Sequence, residues 1–106
     1  MEKGTPITAL IVTYAPDAKV LDACVQSLRK QTPRPRIIIA DNRSPSDASH
    51  GVALSFESDD CRVFAFDRNH GFGGAINRIL PEIETPYLLI SNFDIIYDDN
   101  YLSSAL

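Results

Sequence analysis

Ile7-Thr-Ala-Leu-Ile-Val-Thr-Tyr14 is a near-continuous apolar run rich in β-branched residues. A strand with one wet face alternates apolar and polar residues. A strand buried on both faces does not, and it needs a layer of helices above and below. This run therefore constrains the chain to a central parallel strand in an α/β sheet. Ala15-Pro16-Asp17 breaks it, and Asp17 is placed to cap a following helix.

The rest of the chain repeats the alternation. Val20, Leu21, Cys24, Val25 and Leu28 form one apolar helical face, and Gln31-Thr-Pro-Arg-Pro35 ends that helix. Arg36 to Ala40 reads as a second strand. Asp41 to Ser46 reads as a polar loop with helix-capping chemistry, and Asp47 to Glu57 as a weaker helix interrupted by Gly51. Cys61 to Phe66 reads as a third strand. A glycine-rich loop, Gly71-Phe72-Gly73-Gly74, then opens a helix marked by Ala75, Ile76, Ile79, Leu80 and Ile83, which Pro81 must end or kink. Pro86 to Ser91 reads as a fourth, buried strand, and Asp98 to Leu106 as the start of a last helix, with Asp98 and Asp99 as its first-turn acids. The alternation βαβαβαβ predicts a three-layer α/β/α, Rossmann-like fold with a mostly parallel sheet. The expected strand order is 3-2-1-4, because the connection from the third strand can cross back beside the first. That order puts a topological switch between the first and fourth strands, and a ligand crevice at their C-terminal ends.

At 106 residues the chain is a single domain, without repeat, low-complexity tract or linker. Its net charge is −4, and its basic residues do not cluster. Arg29, Lys30, Arg34 and Arg36 come nearest to a patch, but prolines separate them and no aromatic residue interleaves. Nucleic acid is therefore not an expected partner. No stretch approaches the roughly 20 apolar residues of a membrane span, and the first residues have no apolar segment of signal type. Cys24 and Cys61 fall at core-like positions and read as buried thiols of a reducing compartment. The chain reads as cytoplasmic. A four-stranded sheet leaves the third or fourth strand at an edge and apolar surface uncovered, so self-association into a homo-oligomer is also expected.

Chemistry is concentrated at the strand ends. Asp94 follows an apolar run and ends the sequence Ser91-Asn92-Phe93-Asp94. Such a carboxylate suits Mg²⁺ or Mn²⁺, which take one or two protein carboxylates and fill the remaining positions with phosphate oxygens and water. Taken alone, it suits a helix cap or a solvated loop better. Asp41 follows the second strand, where an acid often meets a nucleoside, and an Asx-turn fits the same position. The glycines allow close backbone approach or positive φ. They match neither the G-x-G-x-x-G fingerprint nor a phosphate loop ending in Gly-Lys-Ser/Thr, and by themselves they are better explained by tight packing of helix on sheet. Phe72 reads as a hydrophobic anchor and His70 as a free loop residue. His50 carries no signal, and no nucleophile–histidine arrangement is present.

Taken together, Ile11-Val-Thr-Tyr14, Ser27-Leu-Arg-Lys-Gln-Thr32, Ile38-Ile-Ala-Asp-Asn-Arg-Ser44, Asn69-His-Gly-Phe-Gly-Gly-Ala-Ile-Asn77 and Leu88-Leu-Ile-Ser-Asn-Phe-Asp94 resemble family 2 glycosyltransferases. These are inverting enzymes of the GT-A fold that use nucleotide-sugar donors. The Gly-Phe-Gly-Gly-Ala-x-Asn run and the Asn-x-Asp ending look closest to the rhamnosyltransferase-like branch. The resemblance implies that Thr13 and Tyr14 line a nucleoside pocket and that Asp41 contacts base or ribose. It implies that Gly71, Gly73, Gly74 and Asn77 shape the floor beside the nucleotide, and that Asn92 bonds ribose or phosphate. Asp94 would be the metal acid of an Asp-x-Asp motif whose first acid is here Asn92. The implied partner is a UDP- or dTDP-sugar, the implied cofactor Mg²⁺ or Mn²⁺, and the implied location of a longer relative the inner membrane surface. Members of the family continue beyond this length, and the acceptor site and catalytic base lie in that later part.

Three functions are open at this point. One is the donor-binding half of a glycosyltransferase, and another a non-catalytic nucleotide-binding or interaction module. The third, a sugar-nucleotide pyrophosphorylase, is disfavoured, because its glycine-rich loop would follow the first strand, where this chain has Ala15-Pro16-Asp17.

Overall fold

The computed structural model describes residues 4–43 and 48–106. Its elements run β1 (Ile7–Tyr14), α1 (Ala18–Arg29), β2 (Arg36–Asn42), α2 (Ala48–Leu54), β3 (Cys61–Ala65), α3 (Gly71–Ile79), a 3₁₀ turn (Leu80–Glu82), β4 (Tyr87–Asn92) and α4 (Tyr101–Ala105). The sheet has the order β3-β2-β1-β4, and all three pairings are parallel. This is the order expected from the sequence.

Strand alternation divides the core into two layers. On one face Ala9, Ile11, Ile37 and Ile39 pack against Leu21, Cys24, Val25 and Leu28 of α1, Ala53 of α2 and Tyr97. On the other, Leu10, Val12, Ile38 and Ala40 pack against Ala75 and Ile79 of α3. The carboxylate of Asp17 caps α1, accepting from the N–H groups of Lys19 and Val20 at 2.9 and 3.1 Å. Both cysteines are buried and free.

Several elements differ from the sequence reading. β2 runs two residues further, so Asp41 and Asn42 belong to the strand and not to a loop. Phe66 lies just beyond β3, although its N–H still bonds Asp41 O at 3.0 Å. The glycines form the first turn of α3; low helix propensity makes them read as loop. β4 starts one residue later and ends one later, and of its residues only Ser91 is buried, as fits an edge strand. α4 starts at Tyr101 with Asn100 as its cap, so Asp98 and Asp99 precede the helix. Val20 and Phe72 are exposed, Phe72 by 49%, so neither anchors the core. The expected capping chemistry of Ser44 to Ser46 and the helix start at Asp47 lie outside the described residues.

The sheet's two edges differ. At β3 the carboxylate of Glu57 accepts from Val63 N–H at 2.8 Å, and Ser58 forms a bridge with Cys61. β4 carries no such cover among the described residues and exposes Tyr87 and Ile90. Among the described residues, no helix is long and apolar enough to cross a membrane.

Candidate functional site at the C-terminal strand ends

Parallel strands bring their C-terminal ends to one side of the sheet. The register sets Thr13 opposite Asp41, Tyr14 opposite Asn42, and Val12 opposite Asn92. The chain leaves β1 toward β2 and β3 on one side and returns to β4 on the other, so the switch lies between β1 and β4.

On the α1 side of this edge, the hydroxyl of Thr13 donates to Asp41 Oδ1 at 2.5 Å. Both residues are essentially inaccessible, at 1% and 0% exposure. A buried carboxylate is tolerated only when hydrogen-bonded, and Thr13 supplies such a bond. Asp41 thus ties β2 to β1 beneath the surface of the crevice.

On the α3 side the neighbour of Asp41 has a different task. The amide of Asn42 accepts from His70 N–H at 3.0 Å through Oδ1 and donates to Gly71 O at 3.2 Å through Nδ2. A primary amide offers the two functions on separate atoms of one short side chain. Asn42 therefore pins the N-terminal turn of α3 to the end of β2. Its signal in the sequence was its place beside Asp41, but its role depends on facing the opposite way.

The glycines divide by cause. Gly71 sits at φ +75°, which disfavours any side chain, and its N–H donates to Asn69 Oδ1 at 2.7 Å. A Cβ at Gly74 would stand 3.1 Å from His70 Cβ, so this glycine allows the close turn. Gly73 has neither positive φ nor a neighbour within 4 Å, and it is exposed, so packing does not account for it. The positive end of α3 is presented at this edge.

His70 is not a free loop residue. Its ring meets Phe66 edge-on, with centroids 5.1 Å apart, and its Nε2 accepts from Arg78 Nε at 3.0 Å. Desolvation, with the charges of Arg78 and Arg68, pushes its pKa down and favours the neutral ring that can accept this bond.

The remaining residues line the rim. Tyr14 is 45% exposed. Ala15 beside it has φ +48°, an uncommon conformation for a residue with a side chain. Asn92 is exposed at the end of β4, and its carbonyl accepts from Ser91 Oγ at 2.7 Å. Phe93 turns inward against the α1-side core, leaving Asp94 exposed on the following turn. Asn77 is exposed in the body of α3. Among the described residues no three His, Cys, Asp or Glu side chains converge as a metal cage. One accessible carboxylate beside an asparagine instead fits a hard cation that draws most of its ligands from phosphate and water.

A concavity of about 590 Å³ lies elsewhere, lined by Arg29, Arg34, Pro35, Arg36 and Ser58 to Asp60 near the N-terminal ends of β2 and β3.

Solved structures share this architecture. Staphylococcus aureus TarS superposes with a TM-score of 0.75 at 20% identity, over 95% of this chain and 19% of TarS. TarS 1–349 in complex with UDP-GlcNAc gives 0.76 at 20% identity, over 95% of this chain and 30% of that one. The complex with UDP gives 0.75 at 20% identity, over 95% and 31%. The chain thus spans less than a third of the length of the proteins it superposes on. No curated protein matches the sequence. The model of one family, Glycosyl transferase family 2, matches residues 8–106, nearly the whole chain, and the protein belongs to that family.

Proposed function

We propose that this chain is the donor-binding part of an inverting glycosyltransferase that takes a UDP- or dTDP-sugar and, in a longer protein, transfers a hexosyl or rhamnosyl group to a glycan or lipid acceptor. The observation that carries this reading is that the Thr13–Asp41 pair, the α3 turn held by Asn42 and the exposed Asn92–Asp94 turn all lie at the C-terminal ends of the parallel strands, the end at which the β1/β4 switch opens. The UDP and UDP-GlcNAc complexes of TarS support the nucleotide class. The Asn-x-Asp ending and the Gly-Phe-Gly-Gly run support the rhamnosyltransferase-like branch.

In this reading Tyr14 lies against the nucleoside. Thr13 and Asp41, buried and bonded to each other, hold the edge of its pocket from beneath, and a direct contact of Asp41 with base or ribose would require its carboxylate to leave Thr13 and reach the surface. Gly71, Gly73 and Gly74 let the diphosphate approach the backbone at the positive end of α3. Asn77 and Asn92 supply neutral hydrogen-bonding groups. Asp94 would hold Mg²⁺ or Mn²⁺, whose charge neutralises the leaving diphosphate. No residue of this chain is assigned as the base that an inverting transfer requires. The donor-binding part would act in the cytoplasm, at the inner membrane surface in a longer chain.

The test is titration calorimetry with UDP, dTDP and GDP, with and without Mn²⁺, on the wild type and Asp94→Ala. One nucleotide is expected to bind in a metal-dependent manner. The variant is expected to lose about tenfold or more in affinity, as for one contact to a charged group. A folded chain that binds none of the three would overturn the donor-site reading and favour a non-catalytic interaction module.

A further inference from the structure

We infer that Ser27, Gln31 and Tyr97 are positioning residues that hold the Asn92–Asp94 turn in place from beneath, through a buried polar clamp between the end of α1 and the segment after β4. The inference rests on the donor-site reading for the role of Asp94, and on separate geometry for the clamp.

Between β4 and α4 the chain runs from Phe93 to Asn100 without regular secondary structure. A loop that presents a functional carboxylate needs support from a rigid element. Here the support comes from α1, distant in sequence and adjacent in space. Ser27 Oγ accepts from Tyr97 N–H at 3.0 Å while donating to Cys24 O at 2.8 Å. Just past the helix, Gln31 Nε2 donates to Asp98 O at 2.6 Å and to Ser27 O at 3.2 Å, and its Oε1 accepts from Leu102 N–H at 2.9 Å. The Tyr97 hydroxyl donates to Ser91 Oγ at 2.7 Å, and Ser91 Oγ donates to Asn92 O. The chain of bonds thus begins on α1 and ends on the carbonyl of Asn92.

These groups are buried: Ser27 is 6% exposed, Gln31 3%, Tyr97 9% and Ser91 1%. Polar side chains on the buried face of an amphipathic helix carry a desolvation cost unless their bonds are needed. The bond from Gln31 to Ser27 O is helix-end capping, which any suitable donor can do. The bonds to Tyr97 N–H, Asp98 O and Leu102 N–H have no such local purpose. Each satisfies a backbone group of the segment after residue 96, and the Tyr97 hydroxyl carries the support back to Ser91 and Asn92 on the other side of residues 95 and 96. Buried networks that are fully satisfied specify a single arrangement.

Anchoring α4 alone is the competing explanation, and the two differ in what they do to the site. The variants are Ser27→Ala, Gln31→Met, which keeps volume, and Ser27→Thr, which keeps the hydroxyl. Each is first shown to be folded by circular dichroism. Amide exchange by mass spectrometry then follows residues 92–102, and calorimetry measures UDP affinity with and without Mn²⁺. In Ser27→Ala and Gln31→Met, exchange over 92–102 is expected to quicken on the order of tenfold, as for loss of one net hydrogen bond, with β1 and β2 unchanged. The gain in UDP affinity that Mn²⁺ confers should fall by a similar factor, while metal-free affinity stays as in the wild type, and Ser27→Thr should retain both. Unchanged exchange over 92–102 overturns the clamp. Parallel loss of metal-free and metal-dependent affinity overturns the positioning role in favour of plain anchoring. If the wild type binds no UDP, the donor-site reading and the positioning of a metal ligand both fail, and exchange alone decides whether the clamp holds the turn.

Discussion

The two poles of the sheet are both rich in polar side chains, yet they are organised in opposite ways. At the N-terminal pole, Arg29 makes a bidentate pair with Asp60 at 3.0 Å on each arm. Arg34 reaches the same carboxylate at 2.7 Å, Ser58 donates to it at 2.8 Å, and Arg36 pairs with Glu84 at 3.1 Å. Charges there are largely matched within the protein, although Arg36 Nε is buried without a hydrogen-bond partner among the described residues. At the C-terminal pole the buried groups, Thr13, Asp41 and Asn42, bond one another or the backbone of α3, while Tyr14, Gly73, Asn92 and Asp94 face solvent. Ala15, the non-glycine residue that holds positive φ among the described residues, lies at the same pole. The difference teaches that a hollow is not by itself a site. Paired groups have already spent their bonding capacity, whereas a supported rim with exposed donors and acceptors has not.

The largest expected effect tests whether the C-terminal pole is a rigid platform. Asp41→Ala leaves the Thr13 hydroxyl buried without its acceptor and opens a void between β1 and β2. A loss of about 2–4 kcal/mol is expected in urea unfolding. A loss below about 1 kcal/mol would mean that the pair carries little, and that the pole is not built from beneath as described.

The second effect is smaller and belongs to the other pole. Burial alone would raise the Asp60 carboxyl, but the bonds from Arg29, Arg34 and Ser58 outweigh it and hold the group well below the usual carboxylate range. Its folded pKa is depressed, so its stabilisation is complete above its ordinary value of 3.8 and is lost as pH falls below that value toward the folded pKa. Asp60→Asn is therefore expected to cost about 1–2 kcal/mol at neutral pH, discounted because Arg34 is half exposed. It should also flatten the fall in melting temperature below pH 4 and leave UDP affinity unchanged. A loss of nucleotide affinity in this variant would erase the distinction between the poles.

How much of this was legible in the sequence follows from the range of each signal. The apolar run of Ile7 to Tyr14 carries its own requirement for two covering layers, and the alternation of elements with right-handed crossovers carries the strand order. The site depended on finer matters. Asp41 and Asn42 are adjacent, so they face opposite sides of the sheet, and only the register and the true end of β2 show which binds Thr13 and which holds α3. Glycine's poor helix propensity hid the fact that Gly71 to Gly74 are helical. Arg29 and Arg34 looked scattered because their shared partner, Asp60, lies far along the chain. Ser27 and Gln31 carry no signal of this role in the sequence, because their backbone partners lie in a segment that has no pattern of its own.

The smallest effect concerns strain, which the comparison assigns to the C-terminal pole. Ala15 holds φ +48° between the end of β1 and the buried ring of Pro16. A left-handed conformation costs a residue with a Cβ roughly 1–2 kcal/mol. Glycine would remove that cost, while the greater freedom of the unfolded chain takes back about 0.5–1 kcal/mol. Ala15→Gly is accordingly expected to stabilise by about 0.5 kcal/mol, seen as a rise of roughly 2–4 °C in melting temperature. The sign matters more than the size. Glycine in a relaxed extended or right-handed conformation would lower the melting temperature, so a fall would show that β1 leaves the sheet without strain. A rise, with UDP affinity measured on the same variant, would separate two uses of the strained bend. If affinity falls as stability rises, the strain at Ala15 serves to hold Tyr14 in its exposed position at the rim. If affinity is unchanged, the bend only turns the chain from β1 into the cap of α1.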